Sequence, residues 1–375
     1  MWIERWQMSH LREYAVSGKV VVIFGPRRVG KTELLKHYLK SETNYLFISG
    51  EDLFTREAMS SQSIDKLKSV VGDHSLLVID EAQYIPNIGL NLKLLVDHLP
   101  HLRMIVTGSA SFDLARQVGE PLTGRKHVVM LYPIAQLELN QIENALQTQA
   151  HRESRLIFGS YPEVITLGSD DDRRDYLHAL VSDSLLKDIL AFEGVQKSKK
   201  IFDLLTLIAL QLGHEVSLSE LATQLAISRG TVERYLDLLE QSFVVVNIRG
   251  FSRNLRKEVT KTSRYYFCDN GICNAILNNF NTLTRRRDIG GLWENYLVME
   301  RIKKQTYERL WSRNYFWRTY DQKELDWVED REGELHGYEF KWGKASGPPK
   351  LWREAYPDAT FECISPENYL PFIAN

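Results

Sequence analysis

The amino-acid sequence predicts an α/β protein with a parallel sheet in its N-terminal third, followed by a helical region and a second α/β region. Three observations predict this organisation. Short apolar runs rich in β-branched residues alternate with helical patterns in the first third of the chain, as strands buried on both faces of a parallel sheet require. The pattern from Leu137 to Leu210 is helical. From Tyr315 onward, strands return in which charged and apolar residues alternate.

Composition and charge limit the class of the protein. Its 375 residues suffice for two or three domains, and 43% hydrophobic with 26% charged residues is typical of a soluble globular protein. A formal net charge of -2 excludes a globally basic nucleic-acid coat but allows a local basic face. Cys268, Cys273 and Cys363 lack the spacing of a zinc site or a disulfide framework. No apolar stretch has bilayer length and the N-terminus lacks a signal-peptide pattern, so we expect a cytoplasmic protein without a membrane partner.

A glycine-rich loop follows the first predicted strand, Lys19–Phe24, and precedes a helical pattern from Thr32 to Lys40. The loop reads Gly25, Pro26, Arg27, Arg28, Val29, Gly30, Lys31, Thr32. Strand, glycine loop and helix in this order are the setting of a Walker A phosphate-binding loop. Loop N–H groups and the helix N-terminus would face the phosphates of ATP, Lys31 would contact the β and γ oxygens, and Thr32 would hold Mg²⁺. A glycine-rich turn without a ligand is the alternative.

The segment Leu76–Glu81 is predicted to complete the nucleotide site. Four apolar residues followed by two carboxylates describe a buried strand whose carboxyl end opens into the ligand-binding crevice of an α/β sheet. We expect Asp80 to hold Mg²⁺ and Glu81 to orient and deprotonate the attacking water. The alternative is an acidic helix cap after a strand.

Further strands are predicted at Met104–Thr107, Tyr45–Ile48 and Val128–Leu131, which gives a five-stranded parallel sheet. Ser109, just after the third strand of the site, would contact the γ-phosphate or the water, or else serve as a helix N-cap. Arg125 would act as an arginine finger, either in its own site or across a subunit boundary in a homo-oligomer. An ordinary surface arginine is the alternative.

Together these motifs resemble the AAA-superfamily ATPases of archaea and bacteria whose P-loop domain is followed by a winged helix and a nuclease-like C-terminal domain. The segment Gly159–Val164 is similar to the Gly-Gly-Phe-Pro-Glu segment of that family. The chain departs from the family in having Glu33 where a second threonine is usual. Glu33 would border the nucleotide site, outside the phosphate contacts.

A helix-turn-helix is predicted from Ser217 to Glu240, followed by two wing strands at Phe243–Ile248 and Ser263–Phe267. If the module binds DNA, its second helix would present polar and basic side chains to the groove. Further basic residues would reach the phosphates from the wing. These side chains are Ser228, Arg229, Thr231 and Arg234 on the helix, and Arg249, Arg253, Arg256, Lys257 and Lys261 on the wing. A module that only packs or contacts protein is the alternative.

The C-terminal third resembles the PD-(D/E)XK nuclease fold. A helix from Leu292 carries Glu294, a predicted strand carries Asp326, and the next strand carries Glu339 and Lys341 on one face. The resemblance implies that the three carboxylates hold Mg²⁺ beside a scissile phosphate and that Lys341 polarises the attacking water. A solvated strand and a nuclease-like fold kept as a binding platform are the alternatives.

The predicted domains are a P-loop ATPase domain (1–135), a helical lid (136–210), a winged helix-turn-helix (211–284) and a restriction-endonuclease-like α/β domain (285–375). Our first hypothesis is a Mg²⁺-dependent ATPase whose nucleotide state controls a C-terminal half that binds DNA and cleaves it. The second is an ATP-dependent regulatory switch or assembly protein with an inactive nuclease-like docking domain.

Overall fold

The computed structural model describes residues 2–109, 118–185, 198–251, 263–319 and 323–374. The chain forms two compact units. The N-terminal unit comprises Trp2–Pro133 with Gln241–Phe243, and the C-terminal unit comprises Ile134–Glu240 with Val244–Asn375.

The N-terminal unit contains a five-stranded parallel sheet, which confirms the predicted α/β fold. Its strand order is β2-β3-β4-β1-β5. The strands are β1 (Val20–Gly25), β2 (Tyr45–Ser49), β3 (Leu76–Asp80), β4 (Arg103–Ser109) and β5 (Lys126–Met130). The helices are α1 (Gln7–Tyr14), α2 (Lys31–Leu39), α3 (Leu53–Met59), α4 (Ile64–Val71) and α5 (Ile88–His98).

The central strands are fully buried because helices cover the sheet, as an apolar β-branched run requires. Val20 and Val22 of β1 join one core cluster with Leu77 and Ile79 of β3 and with residues of α5. Strand β4 lies between β1 and β3, with Gly25 in register with Ser109. Because the strands are parallel, the carboxyl ends of β1, β3 and β4 meet at one edge of the sheet.

The C-terminal unit begins with helices and contains a second sheet. The helices are α6 (Gln136–Leu139), α7 (Ala145–Phe158), α8 (Pro162–Thr166), α9 (Asp170–Ala179), α10 (Ser198–Leu210), α11 (Leu218–Leu225), α12 (Arg229–Gln241), α13 (Asn270–Leu277), α14 (Ile289–Glu308), α15 (Lys350–Ala355) and α16 (Tyr369–Ile373). The acidic run at 170–172 stands in the first turn of α9, after the N-cap Ser169, where carboxylates interact favourably with the helix dipole.

Seven strands of the C-terminal unit form one sheet with the order β12-β11-β10-β9-β7-β8-β6. The strands are β6 (Glu215–Val216), β7 (Val245–Gly250), β8 (Ser263–Phe267), β9 (Arg313–Arg318), β10 (Glu324–Arg331), β11 (Glu334–Phe340) and β12 (Thr360–Ile364). The two wing strands, β7 and β8, are therefore in the same sheet as the strands of the nuclease-like region. Parallel pairing of β7 with β9 joins them, with Arg249 opposite Tyr315. The boundary at residues 284/285 stays a prediction, and a single sheet spans it.

Candidate functional site

The phosphate loop starts where β1 ends, and its backbone requires glycine at two positions. Gly25 has a φ of 156°, and a Cβ at this residue would overlap the carbonyl oxygen of Leu131. Gly30 adopts a left-handed φ of 93° immediately before α2. The two glycines thus let the chain turn from strand β1 into helix α2 within a short loop.

The side chain of Lys31 is buried and lies back over the loop. Its Nζ donates hydrogen bonds to the carbonyl oxygens of Gly25, over 3.0 Å, and Pro26, over 2.8 Å. The amine is therefore held beside the loop backbone at the start of α2. Arg27 extends from the same loop and donates a hydrogen bond to the hydroxyl of Tyr84 over 3.0 Å.

Asp80 at the end of β3 is 7% exposed and accepts hydrogen bonds from two threonines. Thr32 Oγ1 donates to Asp80 Oδ2 over 2.8 Å, and Thr107 Oγ1 donates to Asp80 Oδ1. The same Thr107 oxygen accepts a hydrogen bond from the backbone N–H of Glu81 over 3.0 Å. A hydroxyl and a carboxylate are the hard oxygen ligands that Mg²⁺ prefers, with the remaining positions left to water and substrate phosphates. Thr32 and Asp80 therefore fit Mg²⁺ together with a nucleotide.

Glu81 has a left-handed backbone conformation, with a φ of 51°. Non-glycine residues adopt this region at an energetic cost, and such residues cluster at functional sites. The Glu81 carboxylate accepts a hydrogen bond from the side chain of Gln83. Its backbone and side chain are thus both restrained next to Asp80, in the place expected for the base.

The side chain of Arg5 contacts the phosphate loop, which sequence patterns did not predict. Its side chain is buried and donates hydrogen bonds to the carbonyl oxygens of Val29 and Tyr132, each over 2.6 Å. Val29 belongs to the loop, and Tyr132 follows β5. The guanidinium therefore connects the N-terminal segment to the loop and to the strand end beside it.

Three further residues were predicted for the N-terminal site: Ser109, Glu33 and Arg125. Ser109 is the last residue of β4, and its side chain lies outside the described part of the structure. Glu33 is exposed and forms an ion pair with Lys36 at 2.7 Å. Arg125 forms a surface ion pair with Asp97 at 3.1 Å, and its carbonyl oxygen accepts from the N–H of Val20 at the start of β1.

This position of Arg125 bears on its predicted role as an arginine finger. The phosphate loop follows the carboxyl end of β1, whereas Arg125 lies beside its amino end. Strand β1 is six residues long, so its two ends lie about 17 Å apart. The arrangement does not support a contact with the phosphates of its own site, and a role across a subunit boundary stays a prediction.

In the C-terminal unit, two of the predicted nuclease carboxylates, Glu294 and Asp326, lie next to an arginine. Arg264 of β8 lies 3.3 Å from Glu294, 2.7 Å from Glu324 and 3.6 Å from Asp326. Its side chain is 2% exposed. The described residues contain no group of three or more His, Cys, Asp or Glu side chains placed to hold a metal ion. The metal-binding role predicted for Glu294, Asp326 and Glu339 stays a prediction, and the guanidinium of Arg264 lies between the first two.

Glu339 and Lys341 share a face of the chain, as predicted, and form an ion pair at 2.6 Å. Glu339 lies on β11, and Lys341 directly follows the end of that strand at Phe340. The backbone N–H of Phe340 donates to Asp326 over 2.8 Å, which fixes β10 against this segment. Lys341 therefore interacts with Glu339, one of the three predicted carboxylates, and its predicted catalytic role stays a prediction.

Burial raises the pKa of two carboxyl groups, those of Glu294 and Asp326. Burial together with the nearby charge of Asp326 raises the pKa of Glu294 to about 8, although Arg264 opposes the shift. Burial also raises the pKa of Asp326 to about 6, with a further contribution from Glu339. The hydroxyl of Tyr266 donates to Glu294 over 2.6 Å.

The predicted helix-turn-helix corresponds to α11 and α12, which are joined by a short turn. Ser228, directly before α12, and Arg229 and Arg234 on α12 are exposed, and Arg229 forms an ion pair with Glu233 at 3.1 Å. Arg249 lies on β7. The other predicted wing residues, Arg253, Arg256, Lys257 and Lys261, lie outside the described ranges.

The segment Gly159–Val164 has a structural partner that the sequence did not indicate. Asp269 accepts hydrogen bonds from the N–H of Ser160 over 2.7 Å and from that of Gly271 over 2.8 Å. A Cβ at Gly159 would overlap the Asp269 carboxylate. Two distant segments therefore meet at one buried carboxyl group, close to Lys303, which donates to Ser160 Oγ over 3.3 Å.

Comparisons with known proteins agree with the nucleotide-binding fold of the first unit. Residues 17–140 match the AAA domain family, residues 149–283 match a domain of unknown function (DUF8612), and residues 289–356 match another (DUF4143). An uncharacterized protein of Mycobacterium tuberculosis is 28% identical over 96% of this chain and 78% of its own length. An uncharacterized protein of Haemophilus influenzae is 23% identical over 88% of this chain and 84% of its own length.

A solved structure, the Walker-type ATPase PABY2304 of Pyrococcus abyssi, matches 74% of this chain and 96% of its own with 17% identity and a TM-score of 0.49. No helix of the described ranges is both long and apolar enough to cross a bilayer. A cytoplasmic location stays a prediction.

Proposed function

We propose that this protein binds ATP with Mg²⁺ at the phosphate loop and hydrolyses it. The observation that carries the proposal is the hydrogen-bonded pair of Thr32 and Asp80 beside Lys31, at the edge where β1 and β3 end. The match of residues 17–140 to the AAA domain family supports it. Thr32 and Asp80 would hold Mg²⁺, which neutralises charge on the β and γ phosphates when bound.

The chain's own residues have distinct tasks in this proposal. Lys31 leaves the carbonyl oxygens of its loop to contact the β and γ oxygens, where its charge stabilises the transition state. Glu81 orients a water for attack and accepts its proton, and its restrained backbone keeps the carboxylate in place. The backbone N–H groups of the loop bind the phosphates.

The test measures ATP binding and ATP hydrolysis by the full chain in Mg²⁺. We expect Lys31→Ala to weaken both, and Glu81→Gln to keep ATP bound while turnover falls by about 10²–10⁴-fold, the range for loss of a general base. Glu57→Gln removes an exposed carboxylate on α3 and serves as the control. Wild-type turnover in the Glu81→Gln protein would contradict the role of Glu81, and unchanged binding in Lys31→Ala would contradict the proposed site.

We also propose that the helix-turn-helix binds DNA and that nucleotide state regulates this binding. The exposed arginines of α12, Arg229 and Arg234, support it, since phosphate contacts by basic side chains dominate such binding. We expect Arg229→Ala and Arg234→Ala each to weaken binding of a random duplex and to lower its salt dependence by about one phosphate contact. Lys66→Ala, which removes an exposed cation from α4, should have no effect. Equal binding by all four proteins would favour a protein-contact role.

For the C-terminal carboxylates, the ion pairs of Arg264 favour the second hypothesis, a regulatory switch that does not cleave DNA. The test is to incubate duplex and single-stranded DNA with the protein in Mg²⁺ or Mn²⁺. We expect intact DNA from the wild type, Glu339→Ala and Lys341→Ala alike. Cleavage by the wild type that both substitutions abolish would restore the nuclease hypothesis.

A further inference from the structure

An arginine of the wing hairpin enters the predicted catalytic centre of the nuclease-like region. Arg264 stands on β8, whereas its three carboxylate partners come from other elements. Glu324 and Asp326 lie on β10, and Glu294 lies on α14. One guanidinium therefore bridges three elements of the C-terminal unit.

The guanidinium of Arg264 is held by carboxylates and by an aromatic ring. Its two terminal nitrogens contact the carboxylates at 2.7–3.6 Å. Its plane lies over the ring of Phe316, with 4.6 Å between the guanidinium carbon and the ring centroid. Arg264 Nε is buried and has no hydrogen-bond partner among the described residues. The terminal nitrogens and the ring contact therefore determine the position of the group.

The carboxylates are held in place by further donors. Tyr266 donates to Glu294 over 2.6 Å, and the N–H of Phe340 donates to Asp326 over 2.8 Å. Mg²⁺ or Mn²⁺ needs several oxygens converging at about 2.0–2.2 Å around one point. Here the point between Glu294 and Asp326 is taken by an arginine nitrogen, and the fixed positive charge of an arginine opposes the approach of a divalent cation.

We propose that Arg264 takes the place of a divalent cation, so that the carboxylates of β10 and α14 are arranged around a guanidinium instead of forming a metal-dependent cleavage site. This Arg264 cluster links the wing strand β8 to β10, the strand that precedes β11, on which Glu339 lies. Removing the guanidinium while keeping the carboxylates exposes a cation-binding site. This inference is independent of ATP hydrolysis, because its residues all lie in the C-terminal unit.

The experiment measures Mn²⁺ binding by the nucleotide-free full chain with calorimetry and with the electron paramagnetic resonance signal of free Mn²⁺. All proteins carry Asp80→Asn, which removes the carboxylate ligand of the phosphate-loop site. We expect no stoichiometric Mn²⁺ binding by this parent at sub-millimolar concentrations. Adding Arg264→Met is expected to create one site per chain, and adding Asp326→Asn to that variant is expected to abolish the site again.

Arg301→Met is the matched control. Arg301 is buried, forms an ion pair with Glu329 at 2.6 Å and lies 4.6 Å from the centroid of the Phe372 ring. Arg301→Met therefore also removes a buried arginine that stacks on an aromatic ring, but outside the Arg264 cluster. We expect this variant to bind no Mn²⁺. Binding by the Arg301→Met protein equal to that by Arg264→Met would attribute the effect to general loosening and overturn the proposal.

The parent protein supplies a second test that does not depend on the folding of Arg264→Met. We expect its thermal unfolding midpoint to be the same with and without millimolar Mn²⁺. After Asp326→Asn is added, we again expect the same midpoint with and without Mn²⁺. One Mn²⁺ per parent chain, lost on Asp326→Asn, would overturn the proposal. So would a folded Arg264→Met protein that gains no site.

Discussion

Thr32 Oγ1 donates a hydrogen bond to Asp80 Oδ2 over 2.8 Å, which joins the start of α2 to the end of β3. The two residues are 48 positions apart in the chain. Strand β3 carries Asp80 to the edge of the sheet at which α2 begins, because all five strands are parallel. Thr107 of β4 completes the unit by donating to the other oxygen of Asp80.

Replacing Thr107 tests this unit. In Thr107→Val, Asp80 loses a donor and the N–H of Glu81 loses its acceptor, while side-chain volume is almost unchanged. We expect ATP turnover to fall by about tenfold and the free energy of unfolding by about 1–3 kcal/mol, the cost of unpaired buried polar groups. Steady-state kinetics and urea unfolding measure both, and Thr107→Ser should restore them. Normal turnover in a folded Thr107→Val protein would remove Thr107 from the site.

Arg5 is expected to position the phosphate loop. Arg5→Met removes both hydrogen bonds to the carbonyl oxygens of Val29 and Tyr132 while keeping much of the buried aliphatic volume. We expect the Kd for ATP to rise about tenfold and stability to fall by about 3–6 kcal/mol, since each of the two hydrogen bonds from the charged group contributes about 1.5–3 kcal/mol. Calorimetric titration and urea unfolding measure the effects. Arg12→Met, on the exposed side of α1, is the control, and equal ATP affinity in the two variants would contradict this role.

Gly159 allows close contact between two distant segments. In Gly159→Ala, the added methyl group would overlap the Asp269 carboxylate, and a φ of 73° disfavours any residue with a Cβ. We expect the free energy of unfolding to fall by about 1–3 kcal/mol, as for an overpacked core. Gly168→Ala is the matched control, because no atom lies within 4 Å of a Cβ there. A thermal midpoint of Gly159→Ala equal to that of the control would disprove the close contact.

Asp269 is expected to make stability depend on pH. Burial raises its pKa from 3.8 to about 6, although Lys303 and the N–H groups of Ser160 and Gly271 oppose the shift. Between these values the folded chain retains a proton that the unfolded chain has released. Its contribution to stability therefore falls as pH rises from about 4 to 6, by up to about 3 kcal/mol, and is constant above this window.

Denaturant unfolding across this pH range, in wild type and in Asp269→Asn, measures the effect. The variant cannot ionise, so we expect its stability relative to wild type to increase by about 2–3 kcal/mol between pH 4 and pH 7. Asp171→Asn, at an aspartate whose side chain is 88% exposed, should parallel the wild type. A stability difference between Asp269→Asn and wild type that stays constant with pH would show that Asp269 ionises normally.

Arg125 is expected to contribute little within one chain. Its ion pair with Asp97 is partly exposed, and such pairs contribute about 0–1 kcal/mol. We therefore expect Arg125→Ala to leave stability almost unchanged, and turnover unchanged at low protein concentration. Turnover measured over a dilution series distinguishes the two roles. A loss of turnover that appears only at high protein concentration would show that Arg125 acts across a subunit boundary, and a loss at every concentration would contradict its placement.

Most of the nucleotide site could be predicted because its signals are local. The apolar run of β1, the glycines of the loop and Lys31 are consecutive, and the short apolar strand before Asp80 is equally compact. Strand bounds were less predictable: β5 occupies Lys126–Met130, two residues earlier than the predicted start at Val128. Arg5 carries no such signal, because the carbonyl groups that accept its hydrogen bonds, those of Val29 and Tyr132, are 24 and 127 positions away.

The sequence by itself determined the α/β fold class, the parallel sheet and the residues of the phosphate loop, because strand burial, glycine conformation and helix start are encoded by neighbouring residues. Only the tertiary structure decided which cation lies next to the C-terminal carboxylates. Arg264 is 30 positions from Glu294 and 60 from Glu324, and it meets both because β7 pairs with β9 and so brings β8 into the same sheet as β10. The sequence motif identifies Glu294 and Asp326. That Arg264 lies between them depends on which strands pair.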